Sequence, residues 1–380
     1  MAFLRREYAA SGNAARTREV SAMGKTGGKK ENAIRNGRAY FTLRDLLSSG
    51  IFIIAEAGSN HDGNRDKAVE MVWKAKEAGA DAIKFQDYRL DILFAPKHYS
   101  KVLGLDGEGW KKTIDTLSFK ADWYETVYHA AHEAGILCFG TPFSLEAVDR
   151  LDRHAPFYKV ASGDITYIPL LDHIGSKGKG VFISTGGSTP AEIDSGVQTL
   201  KKYDLPFVCI MHCIMLYPPP PDSLDLRFIR TIRERWGDPV GFSDHTRGID
   251  AALLATGAGI SALEKHFTLD CNREDGDHPI SLDPDGMAEL VERIREAEHM
   301  LGSSERVLTE GEALERIYAR RGIYASRTIK AGELITIEML SFLRPNTDLS
   351  AEEADNIIGG KAIGDIPAGT PLQNGMIERV

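Results

Sequence analysis

Two short segments each set a histidine just past an apolar run, with a carboxylate and a hydroxyl residue beside it. They are Gly241-Phe-Ser-Asp-His-Thr246 and Leu263-Glu-Lys-His-Phe-Thr268. Delivered from the ends of neighbouring strands, His245 and His266 would hold one metal ion. Two imidazoles with oxygen ligands suit Mn²⁺, Co²⁺, Fe²⁺ or Zn²⁺ better than Ca²⁺, and so small a protein ligand set leaves positions open for substrate. Glu264 and Asp244 are expected to orient the two rings from behind. His61, His212 and His278 are not assigned as ligands.

A second group is cationic. Lys84 and Lys159 each fall near the end of an apolar run, and Thr141, Ser162, Ser184 and Ser243 fall at the ends of others. Two ammonium groups with several hydroxyls describe an anion site, most naturally for a phosphate plus a carboxylate. The competing reading pairs these lysines with carboxylates such as Glu56 or Asp164. Contributions from so many runs favour the anion site. Glu56, Gln86, His212 and Tyr217 end or follow further runs.

These positions need a scaffold. From Ile51 to Phe267 eight apolar runs alternate with helical patterns, the runs being continuous rather than alternating, as in strands buried on both faces. Thr189-Pro190 reads as an N-cap followed by a proline at the first helical position. Eight strand–helix units in about 250 residues fit a (β/α)₈ TIM barrel, whose active sites lie at the C-terminal ends of the strands. The barrel is expected over residues 41–302, with its last helix from about Pro284 to Leu301. Residues 303–320 would be a linker. Residues 321–380, with short apolar pieces and the repeated turns Lys330-Ala-Gly332 and Pro367-Ala-Gly369, would form a compact, mostly β domain.

The chain has 380 residues, 42% hydrophobic and 27% charged, as in an ordinary globular protein. Its net charge of −9 argues against nucleic-acid binding. Residues 1–40 are basic and lack apolar periodicity. Glu7, Glu19 and Glu31 count against a transit peptide, so a disordered extension is expected. No run is long enough for a membrane span and no secretory signal is present, so a cytoplasmic location is expected. The four cysteines form no disulfide framework. Gly175–Gly180 lacks Walker spacing and reads as a turn.

The motifs together closely resemble the sialic acid synthases, also called N-acetylneuraminate or nonulosonic acid synthases. The resemblance rests on Ile54-Ala-Glu-Ala-Gly-Ser-Asn-His61, Ile83-Lys-Phe-Gln86, Gly140-Thr-Pro-Phe-Ser144, Tyr158-Lys-Val-Ala-Ser-Gly163, Ser184-Thr-Gly186 and Tyr217-Pro218, besides the two histidine motifs. The tail from Arg321 is similar to that family's antifreeze-like (SAF, β-clip) domain. The resemblance implies a metal-dependent condensation of phosphoenolpyruvate with an N-acetylmannosamine-like amino sugar, releasing phosphate. Carried over by position, Lys84, Thr141, Lys159, Ser162, Ser184 and Ser243 would hold phosphoenolpyruvate. His245 and His266 would bind the metal, typically Mn²⁺, with Mg²⁺ or Co²⁺ as alternatives. Glu56, Gln86, Tyr217 and Asp277 would face the sugar, and Glu56, Lys84, Lys159, His245 and His266 would form the catalytic set. A domain-swapped homodimer is implied, in which Arg344 of the small domain reaches the partner's sugar.

Three stretches depart from the family pattern: Met215, Asn272–His278 and Arg344–Asp348. All concern the sugar. A modified or deoxy hexosamine, as in the legionaminic and pseudaminic acid branches, is therefore an alternative acceptor. A 3-deoxy-ulosonic acid phosphate synthase and a catalytically silent sugar-binding protein are the remaining alternatives.

Overall fold

A computed structural model describes residues 33–35, 38–40, 42, 50–89, 93, 117–237 and 239–378. The expected disordered extension lies outside the described residues, except for an antiparallel pair, β1 (Ala33–Arg35) and β2 (Arg38–Tyr40). The chain divides into two compact units, Met1–Leu301 and Gly302–Val380.

The first unit is a closed barrel of eight parallel strands. In chain order they are β3 (Phe52–Gly58), β4 (Ala82–Asp87), β5 (Leu137–Pro142), β6 (Phe157–Val160), β7 (Gly180–Ser184), β8 (Val208–Cys213), β9 (Val240–Asp244) and β10 (Ala262–His266). Strand β10 pairs with β3 and closes the ring. Nearly every strand residue is buried, which is why the sequence shows unbroken apolar runs. The intervening helices are α1 (Arg65–Glu77), α2 (Tyr124–Ala134), α3 (Leu145–Leu151), α4 (Ile168–Ser176), α5 (Pro190–Lys201), α6 (Phe228–Trp236), α7 (Asp250–Gly257) and α8 (Pro284–Leu301). Their starts are written locally. The Asn64 side chain accepts from the amides of Asp66 and Lys67, Ser144 from Ala147, and Thr189 forms a capping box with Glu192 ahead of Pro190.

Side chains alternate between the barrel interior and the helical layer. The rings of Phe52 (β3) and Phe182 (β7) stack 6.1 Å apart although their strands lie on opposite sides of the ring, so both point inward. Phe139 and Phe157 join them, with centroids 4.5 Å apart. These rings plug the barrel. Further along the same strand faces, two residues on in β5, β6 and β7 and four on in β3, the inward positions become Thr141, Lys159, Ser184 and Glu56. An apolar floor thus carries a polar layer at the C-terminal mouth.

The second unit opens with α9 (Glu310–Ala319), started by a capping box between Thr309 and Glu312. This helix lies within the expected linker. Four short strands follow, pairing antiparallel as β11 (Gly322–Ala325) with β12 (Leu340–Leu343) and β13 (Lys361–Ala362) with β14 (Ile377–Glu378). They enclose a small core that includes Ile323, Ile329, Ile335, Leu349 and Leu372. Among the described residues no helix is long and apolar enough to cross a membrane.

Candidate active site

A cavity of about 320 Å³ opens at the strand C-termini. Its walls include Glu56, Lys84, Gln86, Thr141, Lys159, Ser162, Ser184, Tyr217, Ser243, His245, His266 and Asp277, so the structure brings every barrel residue of the sequence-derived set into one space. Arg344 lies in the second unit, exposed, just after β12. Glu264, Cys213, Phe143 and Met215 also line the cavity.

Strand periodicity explains the convergence. Lys84 and Gln86, Ser243 and His245, and Glu264 and His266 are each two residues apart, so each pair faces inward. Lys84 Nζ lies 2.6 Å from Glu56 Oε2 and donates to Thr141 Oγ1 at 2.8 Å. Lys159 Nζ lies 3.5 Å, and Lys84 Nζ 3.8 Å, from Glu264 Oε2. Ser243 Oγ donates to Glu264 Oε1 at 3.0 Å, and Gln86 Nε2 to Glu56 Oε1 at 2.7 Å. The reading in which the lysines meet carboxylates is thus realised for Glu56. Asp164 is different: its Oδ2 is buried without a partner, and burial raises its pKa to about 6.

Burial opposes ionisation of Glu264, but Lys159 and Lys84 outweigh it and hold this carboxyl well below its ordinary range. Burial also lowers the Lys159 pKa, against the attraction of Glu264. The two imidazoles lie 5.3 Å apart between centroids. Burial and the neighbouring His266 ring push the His245 pKa down to about 3, so the ring is neutral at physiological pH. His245 Nδ1 lies 2.8 Å from the Ile214 carbonyl, which makes it the protonated nitrogen and leaves Nε2 its lone pair. Tyr217 stacks on the same ring at 4.1 Å.

The expectation that Asp244 and Glu264 orient these rings is corrected. Asp244 is an outward-facing strand residue, and it binds Lys265 Nζ at 2.9 Å and the Thr246 amide at 2.8 Å. Glu264 faces inward but is engaged by Ser243 and the lysines. The Ile214 carbonyl holds His245 instead, and Asp277 Oδ2 lies 3.6 Å from His266 Nδ1.

Ser184 Oγ and His266 Nδ1 are buried with no hydrogen-bond partner, and Glu56 Oε2 and Glu264 Oε2 meet only the two lysines. Orphaned polar atoms concentrated on one cavity mark a place for a ligand. A neutral His245 and an uncommitted His266 nitrogen fit a divalent cation. Elsewhere, Asp62, Asp275 and His278 bring one potential ligand atom each within 4.8 Å of one another. Arg273 already pairs with both of those carboxylates, and Lys67 with Asp62.

Residues 71–306 match the profile of the NeuB family, and residues 320–378 match that of the SAF domain. The chain belongs to the NeuB family. It is an enzyme of that family, built as a TIM barrel followed by a SAF domain. It is 35% identical to the N,N'-diacetyllegionaminic acid synthase of Legionella pneumophila, over 84% of this chain and 93% of that protein. It is 33% identical to a pseudaminic acid synthase of Campylobacter jejuni, over 86% of this chain and 96% of that one. Among solved structures, the N-acetylneuraminic acid synthetase of Leptospira borgpetersenii superposes with a TM-score of 0.63 at 31% identity, covering 70% of this chain and 90% of that one.

Proposed function

We propose that this NeuB-family enzyme is a nonulosonic acid synthase, condensing phosphoenolpyruvate with an unphosphorylated N-acetylmannosamine-like hexosamine and releasing inorganic phosphate. The observation that carries the proposal is the mouth cavity, where two buried lysines, the carboxylates they pair with and the unpartnered Ser184 hydroxyl face a pair of imidazoles 5.3 Å apart. Lys84 and Lys159, with Thr141, Ser162, Ser184 and Ser243, hold the phosphate and carboxylate of phosphoenolpyruvate. Glu264 opposes the burial that lowers the Lys159 pKa.

C3 of phosphoenolpyruvate bonds to the aldehyde carbon of the open-chain sugar, whose oxygen takes up a proton and becomes a hydroxyl. Water adds to C2 and loses a proton. The resulting adduct expels phosphate and leaves a 2-keto acid, with the lysines stabilising the departing charge. Glu56, aligned by the Gln86 amide, takes the proton of the attacking water. Tyr217 and Asp277 face the acceptor. A divalent ion held by His245 and His266, Mn²⁺ by preference, supplies Lewis acidity toward the aldehyde oxygen when bound. The enzyme acts as a homodimer in the cytoplasm, with Arg344 completing the partner's acceptor site.

Among the described residues that line the cavity, the lysines are Lys84 and Lys159, both deep and both facing carboxylates. Among these described residues no further cation remains for a phosphorylated sugar, which disfavours a 3-deoxy-ulosonic acid phosphate product. A second acceptor reading follows from Met215, a half-exposed thioether on the cavity wall. An apolar group there suits a 6-deoxy, multiply N-acetylated hexosamine of the legionaminic or pseudaminic type. Phosphate release is to be measured with phosphoenolpyruvate and Mn²⁺ against N-acetylmannosamine and its deoxy, diacetamido analogues. Release with none of them would refute the proposal, and the preferred sugar decides between the readings.

A further inference from the structure

The loop after β10 leaves the barrel at Thr268 and returns at Leu282. Its neck is closed directly on the histidine strand, because Leu282 N donates to the His266 carbonyl at 2.8 Å and Thr268 N to the Leu282 carbonyl at 2.9 Å. Asp277, beyond this neck, comes back over the strand end and sets its carboxylate 3.6 Å from His266 Nδ1. Asp270 and Cys271 are still tied to the neck, through Thr268 Oγ1 and Asp283 Oδ2; what the neck does not fix is the far part of the loop, residues 272–276.

That part is tied sideways. Arg273 pairs with Asp275 in its own loop and with Asp62 in the loop after β3. Asp62 is a hub: Lys67 Nζ lies 2.5 Å from Oδ2, and His278 Nε2 3.4 Å from Oδ1. His278 in turn shares a 2.7 Å hydrogen bond with Thr268 Oγ1 at the neck. Lys67 and Arg273 hold the Asp62 carboxyl at a pKa of about 2 although burial opposes it, so it is ionised throughout the physiological range. Its backbone sits at φ 53°, in the left-handed region that Asp tolerates better than most residues.

We infer that Asp62 and Arg273 are positioning residues for the acceptor end of the site: they form a clamp between the first and last barrel loops that holds Asp277 at the cavity. This inference rests on the proposed condensation for its kinetic consequence. Neither residue lines the cavity, so the clamp acts only through Asp277. Because the neck bonds at His266 do not involve the clamp, breaking it frees the loop without dislodging the strand.

The test uses Arg273→Gln and Asp62→Asn in the full chain. Each should raise the KM for the sugar acceptor about tenfold, the lower end for partners that orient a site residue, and leave the KM for phosphoenolpyruvate and the Tm near wild type. In an Asp277→Asn background, either change should add no further loss. Without substrate, amide hydrogen exchange over residues 272–276 should quicken about tenfold, while the β10 amides stay protected. Unchanged exchange would overturn the clamp, and an undiminished effect in the Asp277→Asn background would show that it does not act through Asp277. If the wild-type enzyme releases no phosphate with any acceptor, the reaction reading falls, and the exchange result still decides the clamp.

Discussion

Replacing Glu264 with Gln keeps the shape of the side chain and removes the charge that Lys159 and Lys84 face. At 3.5 Å and an effective dielectric of about 20, the attraction to Lys159 alone is roughly 5 kcal/mol before desolvation is subtracted. Removing one partner of a buried ion pair costs roughly 3–5 kcal/mol, because the other charge is left uncompensated. The variant should therefore lose about 3–5 kcal/mol of unfolding free energy at pH 7, measured by urea titration. The sign of the pH dependence follows from the lowered folded-state pKa. The carboxylate's contribution is fully present above about 4.5 and is lost as pH falls toward 2. The gap between wild type and Glu264→Gln should accordingly stay constant from pH 7 to 5 and shrink in titrations at pH 4 and 3. A gap that keeps its full size at pH 3 would refute the view that the lysines hold Glu264 ionised.

Other consequences are equally direct. His266→Ala should abolish Mn²⁺-dependent phosphate release, and activity that persists without added metal would displace His266 as a ligand. A Cβ built on Gly186 would come within 2.8 Å of Ser162 Oγ and 3.1 Å of Cys213 Sγ, so Gly186→Ala should push the Ser162 hydroxyl aside. Its kcat/KM for phosphoenolpyruvate should fall by about 10- to 100-fold with little change in Tm. Truncation before Arg321 should strongly impair turnover, and unchanged kinetics would remove the second unit from the reaction. Thr189→Ala should cost about 1 kcal/mol of stability through loss of the α5 cap, with kinetics unaffected.

The barrel was legible because all eight strands are buried on both faces and their polar residues cluster at one end. The cavity was legible for the same reason: a lysine or histidine at an otherwise apolar strand end has few other places to go. Orientation was harder to read. Asp244 and Glu264 look alike in sequence, each beside a histidine motif, yet strand alternation sends one to Lys265 in the outer layer and the other to the lysines inside. Counting outward from His245 and His266 by twos would have separated them. Helix α9 carried its own signals, Thr309 three residues before Glu312 and Leu314, Ile317 and Tyr318 at helical spacing, but that stripe is short and exposed, so the segment reads as a linker. The tie between Asp62 and Arg273 joins residues 211 positions apart in sequence, and nothing local announces it.

The two imidazoles stand on neighbouring strands whose register places Lys265 beside Asp244 and so His266 beside His245. Their separation is therefore a property of the hydrogen-bonded ladder, where strands run about 4.8 Å apart whatever the connecting sequence. Asp277, Tyr217 and Met215 instead sit on loops, which accept insertion and substitution at little cost to the fold. Under the proposed function, descendants of this chain would change their acceptor by altering loop residues alone, while the spacing of the two rings is inherited unchanged with the barrel.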